Sequence, residues 1–199
     1  MAAEALARFS DPSPPILTGY FGEAISPCRN SSSKEHPLTS DPASTADRTI
    51  VIEVGDPLSD EVTVLVTALD EYLNDRCGPA RNHGSPVTRL AERDVTVFVA
   101  RRSGEAVGCA ALQIEFDGSA EVKRMWVSPT HRGLGVGRQL LSRVEAEARR
   151  ARVQVLRLET SHPLYEAIAL YRAGGFHPCS AFGHYIEEPI NLYFEKFLP

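Results

Sequence analysis

The 199-residue sequence lacks paired cysteines, long apolar runs and an excess of positive charge. Its four cysteines are scattered without a CxxC pair, which argues against a zinc site or a disulfide framework and favours a reducing compartment. No apolar run approaches the roughly 20 residues that a transmembrane helix needs. The net charge of −5 argues against a nucleic-acid partner, since such proteins usually carry a basic surface. The sequence therefore predicts a cytoplasmic protein with no metal, membrane or nucleic-acid partner.

The first 47 residues differ in composition from the rest of the chain. They hold six of the fourteen prolines and a run of three serines at 31–33. They also contain few spaced apolar residues, so they cannot bury enough apolar surface to offset the entropy of ordering the chain. No continuous apolar segment of the secretory-signal type stands at the N-terminus. We therefore predict a flexible tail over 1–47 and one folded domain over 48–199.

Hydrophobic spacing predicts a mixed α/β domain. A β-branched run at 49–54 is typical of a strand, and apolar residues recur at helical spacing over 58–73. Residues 94–128 predict three strands in succession, because Ser103-Gly104 and Asp117-Gly118 are hairpin turn pairs. The complete predicted order is β-α-(α)-β-β-β-α-β-α-β-β, which corresponds to a sheet with helices packed against it.

A glycine-rich segment, HRGLGVGRQLL at 131–141, follows the third of these strands and opens a predicted helix. It is not a Walker A loop, because no GxxxxGK[ST] string occurs, and it is not a dinucleotide fingerprint, because Arg138 stands where the third glycine belongs. The pattern that remains is RxxGxG, formed by Arg132, Gly135 and Gly137 between a strand and the N-terminus of a helix. Backbone N–H groups there can hold a diphosphate. The alternative is a tight turn that uses glycine only for close packing.

The sequence around the glycines resembles a known family. EVKRMWVSPTHRGLGVGRQLL resembles motif A of the GNAT superfamily of acyl-CoA N-acetyltransferases, and EAIALYRAGGF resembles the second signature of that family. The two occur in the expected order with the strand VLRLET between them. The resemblance covers Thr49 to Leu198. It implies the GNAT fold, a mixed but largely antiparallel sheet with helices on both faces, splayed at the cofactor strand.

The resemblance implies that acetyl-CoA is the cofactor. The glycine loop would then bind the pyrophosphate of coenzyme A, and the preceding strand would hydrogen-bond the pantetheine arm through its main chain. The cofactor-binding residues implied in this way are Met125, Trp126, Val127, Arg132, Gly133, Leu134, Gly135, Val136, Gly137 and Arg138.

The implied reaction is direct attack of an amine on the acetyl thioester. A base must remove a proton from the amine, and Glu121 occupies the position at which several family members carry a glutamate. Its alternatives are a solvated or ion-paired strand carboxylate, or a water chain as the base. Tyr171 corresponds to the family tyrosine that protonates the departing thiolate, although by spacing alone it is a core aromatic. No acyl-enzyme is expected, because neither Cys109 nor Cys179 has a visible partner.

The acceptor is less well defined by the sequence. Lys123 and Arg124 are consecutive, so on a regular strand they are predicted to point to opposite faces, and Arg124 is a candidate for holding an acceptor carboxylate. His83 and Tyr185 lie in loops that line acceptor sites in relatives. The resemblance favours a bacterial-type enzyme that acts on an amino acid or related metabolite. A non-catalytic acyl-CoA-binding regulator and a protein or peptide N-acetyltransferase stay open, as does a homodimer.

Overall fold

The computed structural model describes residues 49–78 and 87–199, so the predicted tail over 1–47 and the candidate His83 lie outside the described residues. Within that part of the chain the strands are β1 (Ile50–Val54), β2 (Val95–Arg102), β3 (Glu105–Ile114), β4 (Ser119–Val127), β5 (Val155–Ser161), β6 (His177–Cys179) and β7 (Asn191–Phe197). The helices are α1 (Asp60–Cys77), α2 (Val136–Arg150) and α3 (Tyr165–Ala173), with short 3₁₀ turns at Val87–Ala91 and Pro129–His131.

The described strands form one sheet in the order β1-β2-β3-β4-β5-β7-β6. Every neighbouring pair is antiparallel except β4 and β5, which run parallel. That parallel pair spans only Ser119–Glu121 against Val155–Arg157. Beyond Glu121 the two strands no longer pair, although β5 continues to pair with β7 through Ser161. The predicted mixed, largely antiparallel sheet that opens at β4 is therefore confirmed.

Local sequence chemistry explains most of the element boundaries. Ser103 and Gly104 both adopt positive φ, 52° and 82°, as the tight turn of the β2–β3 hairpin requires. Ser59 caps the N-terminus of α1, because its side chain accepts a hydrogen bond from the Val62 amide at 3.3 Å. Apolar spacing had placed Leu58 in this helix, but Leu58 lies before the cap. Gly175, at φ 84°, follows the end of α3 as a left-handed residue.

The helices cover both faces of the sheet, as predicted. Alternation along β2 sends Phe98 and Ala100 to the face covered by α2 and α3, and Val97 and Val99 to the face covered by α1. On the first face, α2 contributes Leu140 among other fully buried side chains. Two apolar layers therefore hold the sheet between helices, and they fix the position of β4 in the middle.

A β-bulge in β4 corrects one sequence prediction. The register with β3 shifts between Cys109 and Ala111, and Arg124 adopts a φ of 52°. Lys123 lies opposite Ala111, which packs on the α1 side, and the Arg124 side chain reaches Asp70 of α1. The prediction of opposite faces was wrong, because the inserted residue interrupts strict alternation and leaves both side chains on the α1 face.

Candidate active site

The opening between β4 and β5 is a cavity of about 440 Å³. Its walls come from the unpaired parts of the two strands, the inner face of α1, the glycine loop and the buried side of α3. The side chains and loop residues that line it include Tyr72, Glu121, Lys123, Arg124, Met125, Trp126, Val127, Arg132, Gly133, Gly135, Gly137, Glu159, Tyr171 and Tyr185. The predicted cofactor and catalytic residues, apart from Leu134, therefore meet at one place in the fold.

The glycine loop presents main-chain donors to this cavity. Gly133 and Gly135 have φ values of 75° and 84°, which other residues rarely adopt. Gly135 caps α2 without a side chain, and the first hydrogen bond within the helix is donated by Gln139 to its carbonyl. The amides of Val136, Gly137 and Arg138 precede that bond and have no acceptor within the helix. Because these donors coincide with the positive end of the helix dipole, the loop is suited to an anion.

The strand before the loop offers a second row of main-chain groups. The Ser128 amide donates to Val107 of β3 at 2.8 Å, so the alternating pattern turns the Val127 amide away from β3 and toward the opening. The Val127 carbonyl accepts a hydrogen bond from Arg132 Nε at 3.1 Å. An extended ligand can pair with such an edge as an added strand does.

Arg132 is held by aromatic rings on two elements. Its guanidinium lies 4.7 Å from the ring centroids of both Tyr72 on α1 and Trp126 on β4, and those rings are 5.0 Å apart. This packing, together with the bond to Val127, fixes the start of the glycine loop against α1. Leu134 is exposed in the same loop. The assignment of these residues to the cofactor stays a prediction.

Tyr171 lies on the buried side of α3 and lines the cavity. Its ring centroid is 6.0 Å from that of Phe176, so the ring is also part of the core that the spacing predicted. Burial, reinforced by the charge of Glu159, raises the pKa of the Tyr171 phenol well above its usual range. The phenol therefore keeps its proton at neutral pH and is available as a donor.

Glu121 is enclosed by two partners at the other side of the opening. Its Oε1 atom accepts a hydrogen bond from the Tyr185 hydroxyl at 2.7 Å and lies 2.9 Å from Lys123 Nζ. Lys123 also donates to the Tyr185 hydroxyl at 3.2 Å. The side chains of Glu121 and Lys123 are 6% and 9% exposed. Sequence reasoning allowed an ion pair with Lys123 as one alternative for Glu121, and this pair is present.

Glu159 on β5 is a titratable group that sequence reasoning missed. It lines the cavity, and burial together with the charge of Glu121 raises the pKa of its carboxyl group to about 7. The available signal was an acidic residue inside a strand, two positions beyond the part of β5 that pairs with β4. That signal becomes visible only when the parallel pairing is known, because the neighbouring strand is distant in sequence.

Two further residues considered from the sequence, Arg124 and Cys109, are both buried, and neither is readily available to a substrate. Arg124 is buried and forms an ion pair with Asp70, which neutralises the charge that was predicted to hold an acceptor carboxylate. Burial raises the pKa of the Cys109 thiol to about 12, so Cys109 is protonated and unreactive at neutral pH.

Within residues 49–78 and 87–199, no group of three or more His, Cys, Asp or Glu side chains is placed to hold a metal ion. No helix in these ranges is long and apolar enough to span a membrane.

Comparison with known proteins decides the family. The model of the acetyltransferase (GNAT) family matches residues 66–176, which is more than half of the chain and includes β4, the glycine loop and α3. The chain belongs to the GNAT acetyltransferase family. It is therefore an acetyl-CoA-dependent N-acetyltransferase, as the resemblance had implied.

Two sequence relatives and one solved structure illustrate the match. An IAA acetyltransferase of Azospirillum brasilense is 47% identical over 143 residues, which cover 70% of this chain and 92% of the relative. YsnE of Bacillus subtilis, described as an N-acetyltransferase, is 30% identical and covers 67% of this chain and 92% of its own length. A crystal structure from Klebsiella pneumoniae, described as an acyl-CoA N-acyltransferase, superposes with a TM-score of 0.65 at 33% identity, covering 76% of this chain and 99% of that one.

Proposed function

We propose that this GNAT enzyme transfers the acetyl group of acetyl-CoA to a primary amine of a small molecule such as an amino acid or related metabolite. The observation that carries the proposal is that one cavity contains both a main-chain cradle for an anion and a cluster of ionisable side chains, Glu121, Lys123, Glu159 and Tyr185. Its volume of about 440 Å³ lies in the range of sites that enclose small ligands.

The loop residues fit the coenzyme by the chemistry of their donors. The free amides at the start of α2 would hold the pyrophosphate, with Arg132 and Arg138 at the same end of the cavity. The amide of Val127 would pair with the pantetheine arm. When bound, acetyl-CoA supplies the activated thioester, and the residues of the chain orient the amine, take its proton and protonate the sulfur.

Proton transfer is the task of the ionisable side chains. An aliphatic amine is protonated at neutral pH and cannot attack until a base removes a proton. Three carboxylates line the described part of the cavity; Glu166 on α3 is exposed, so the candidates for this step are Glu121 and Glu159. Tyr171, whose phenol is protonated at neutral pH, would then donate its proton to the departing thiolate.

Transfer should be direct, without an acetylated protein. Cys109 is protonated at neutral pH because its thiol is buried, so it is a poor nucleophile. Incubating the protein with acetyl-CoA and no amine should give no acetyl-sized mass increase by intact-protein mass spectrometry, and Cys109→Ala should retain kcat. Accumulation of an acetylated protein that is lost when an amine is added would contradict this prediction.

The test of the proposed function is thiol release from acetyl-CoA with a panel of acceptors. The panel contains amino acids, polyamines, aminoglycosides, a lysine peptide, a peptide with a free N-terminus, and IAA, because the A. brasilense relative is named for it. We expect turnover with a small amine and none without an acceptor. Turnover only with the peptides would favour a protein acetyltransferase. Tight acetyl-CoA binding with no turnover on any acceptor would instead indicate a regulator.

A further inference from the structure

We propose that Glu159, rather than Glu121, is the base that deprotonates the acceptor amine, and that Glu121 is a positioning residue that holds Lys123 and Tyr185. This inference rests on the proposed function, because it assigns a step of that reaction. It follows from which carboxylate is available, where it lies and how it interacts with Tyr171.

The two carboxylates differ in their hydrogen-bond partners. Glu121 accepts from Tyr185 and pairs with Lys123, and all three side chains are substantially buried. Both partners contact Oε1, and a proton taken up by Glu121 would neutralise the carboxylate to which Lys123 and Tyr185 are bound, which weakens both interactions. In the described part of the chain no side chain donates a hydrogen bond to the Glu159 carboxylate or forms an ion pair with it. Glu159 therefore has lone pairs free to accept a proton.

Glu159 also lies where the sheet has opened. Arg157 is the last residue of β5 that pairs with β4, and Glu159, Thr160 and Ser161 line the cavity beyond it. Tyr171 lines the same cavity from α3, and the charge of Glu159 contributes to the raised pKa of its phenol. The base and the acid of the reaction are therefore electrostatic neighbours in one cavity.

The environment of Glu159 suits a base at neutral pH. Burial is the main cause that raises its pKa to about 7, with further increases from Glu121 and Glu188 and a decrease from Lys123. Because the folded-state pKa is raised, the carboxyl is protonated and inactive below pH 7 and becomes a functioning base above it. The charged or titratable groups that interact with Glu159 are Glu121, Lys123, Glu188, Tyr171, Tyr185 and Tyr193.

The proton transfers balance and support each other. Glu159 takes a proton from the ammonium form of the acceptor, the nitrogen lone pair forms the C–N bond, and the C–S electron pair leaves on sulfur. Tyr171 gives its proton to that sulfur, the acetylated amine loses its second proton to solvent, and solvent returns Tyr171 and Glu159 to their starting states. Once Glu159 is neutral, the smaller of the two causes that raise the pKa of Tyr171 is gone, while burial, the larger cause, remains. Tyr171 is therefore a stronger acid at the step in which it donates.

The experiment compares Glu159→Gln and Glu121→Gln with the panel amine that gives the highest kcat/KM. At pH 7 we expect Glu159→Gln to lower kcat by about thirtyfold or more. Loss of a general base usually lowers the rate by about 10² to 10⁴-fold, and the lower bound here is smaller because wild-type Glu159 is only partly ionised at pH 7. The wild-type inflection of kcat/KM near pH 7 should disappear, and Glu159→Asp should restore part of the rate. Glu121→Gln should raise KM for the amine more than it lowers kcat. It should also move the inflection to lower pH, since a negative charge near Glu159 has been removed.

Two further measurements complete the test. Glu105→Gln makes the same chemical change at an exposed position of β3 outside the cavity lining and should leave kcat unchanged. The affinity for acetyl-CoA should stay within about twofold in both cavity variants, as measured by calorimetry. A ¹³C titration of the glutamate carboxyls, with Glu159→Gln used for assignment, should show a midpoint near 7 for Glu159.

The possible failures are distinguishable. Retention of kcat and of the pH inflection by Glu159→Gln, together with loss of both in Glu121→Gln, would make Glu121 the base and overturn the inference while leaving the proposed function in place. A Glu159 midpoint in the ordinary range for glutamate would also overturn the inference. A wild-type protein that binds acetyl-CoA but acetylates no panel amine would overturn the proposed function and this assignment together.

Discussion

Replacing Tyr171 with phenylalanine is expected to lower kcat by about 10² to 10³-fold at neutral pH while leaving the affinity for acetyl-CoA nearly unchanged. The phenol is the cavity hydroxyl that we propose as the proton donor to the thiolate, and general acids contribute effects of this size. The ring would keep its contact with Phe176, so the melting temperature should change little. Steady-state kinetics, calorimetry with acetyl-CoA and thermal denaturation measure the three quantities.

The matched control for this variant is on the same helix. Tyr165→Phe also removes one phenolic hydroxyl from α3, but Tyr165 is 74% exposed and lies outside the cavity lining, so its kcat should equal that of the wild type. Because loss of an acid matters most for a poor leaving group, a thioester with a more acidic thiol should partly rescue Tyr171→Phe. A Tyr171→Phe enzyme with wild-type kcat would show that solvent protonates the thiolate.

Replacing Gly135 with valine is expected to weaken binding of coenzyme A by roughly 10²-fold. Gly135 has a φ of 84°, and a β-branched residue is a severe outlier in that region. The added side chain itself would project into open space, with no atom within 4 Å of its Cβ. The expected effect therefore comes from a change of backbone conformation that turns the free amides at the start of α2 away from the anion. Calorimetric titration with coenzyme A measures the loss.

Gly104→Val separates this effect from a general loss of stability. Gly104 has a φ of 82° and open surroundings like those of Gly135, but it lies in the β2–β3 turn, outside the cavity lining. Both variants should therefore lower the melting temperature, and only the loop variant should lose coenzyme affinity. Equal affinities for the two variants would contradict the assignment of the loop to the pyrophosphate.

Most of the fold was predictable because its signals are local in sequence. The hairpin turns depend on a few adjacent residues, and both lie where they were predicted; the serine cap of α1 and the glycine after α3 are equally local signals. The glycine loop was similarly recognisable, because the residues that precede a helix determine which of its amides stay free. Resemblance to the family then supplied what spacing could not, namely the coenzyme and the tyrosine.

The features that sequence reasoning missed depend on contacts between distant segments. The positive φ of Arg124 follows from the register between β3 and β4, and its ion pair joins it to Asp70 on a helix 54 positions earlier. Glu159 is unusual only because β5 separates from β4 two residues before it. Neither the bulge nor the separation leaves a periodic trace in the sequence, so both had to be read from the folded chain.

The opening in the sheet divides the site into parts that respond differently to sequence change. On the side that we propose for the coenzyme, the available groups are main-chain groups of β4 and of the glycine loop, which survive most side-chain substitutions nearby. At the other end, the groups facing the cavity are side chains, including Lys123, Glu159 and Tyr185. Substitutions at the second end can therefore alter which amine is accepted without altering use of the donor. Such an arrangement makes the enzyme a favourable starting point for laboratory evolution toward new acceptors.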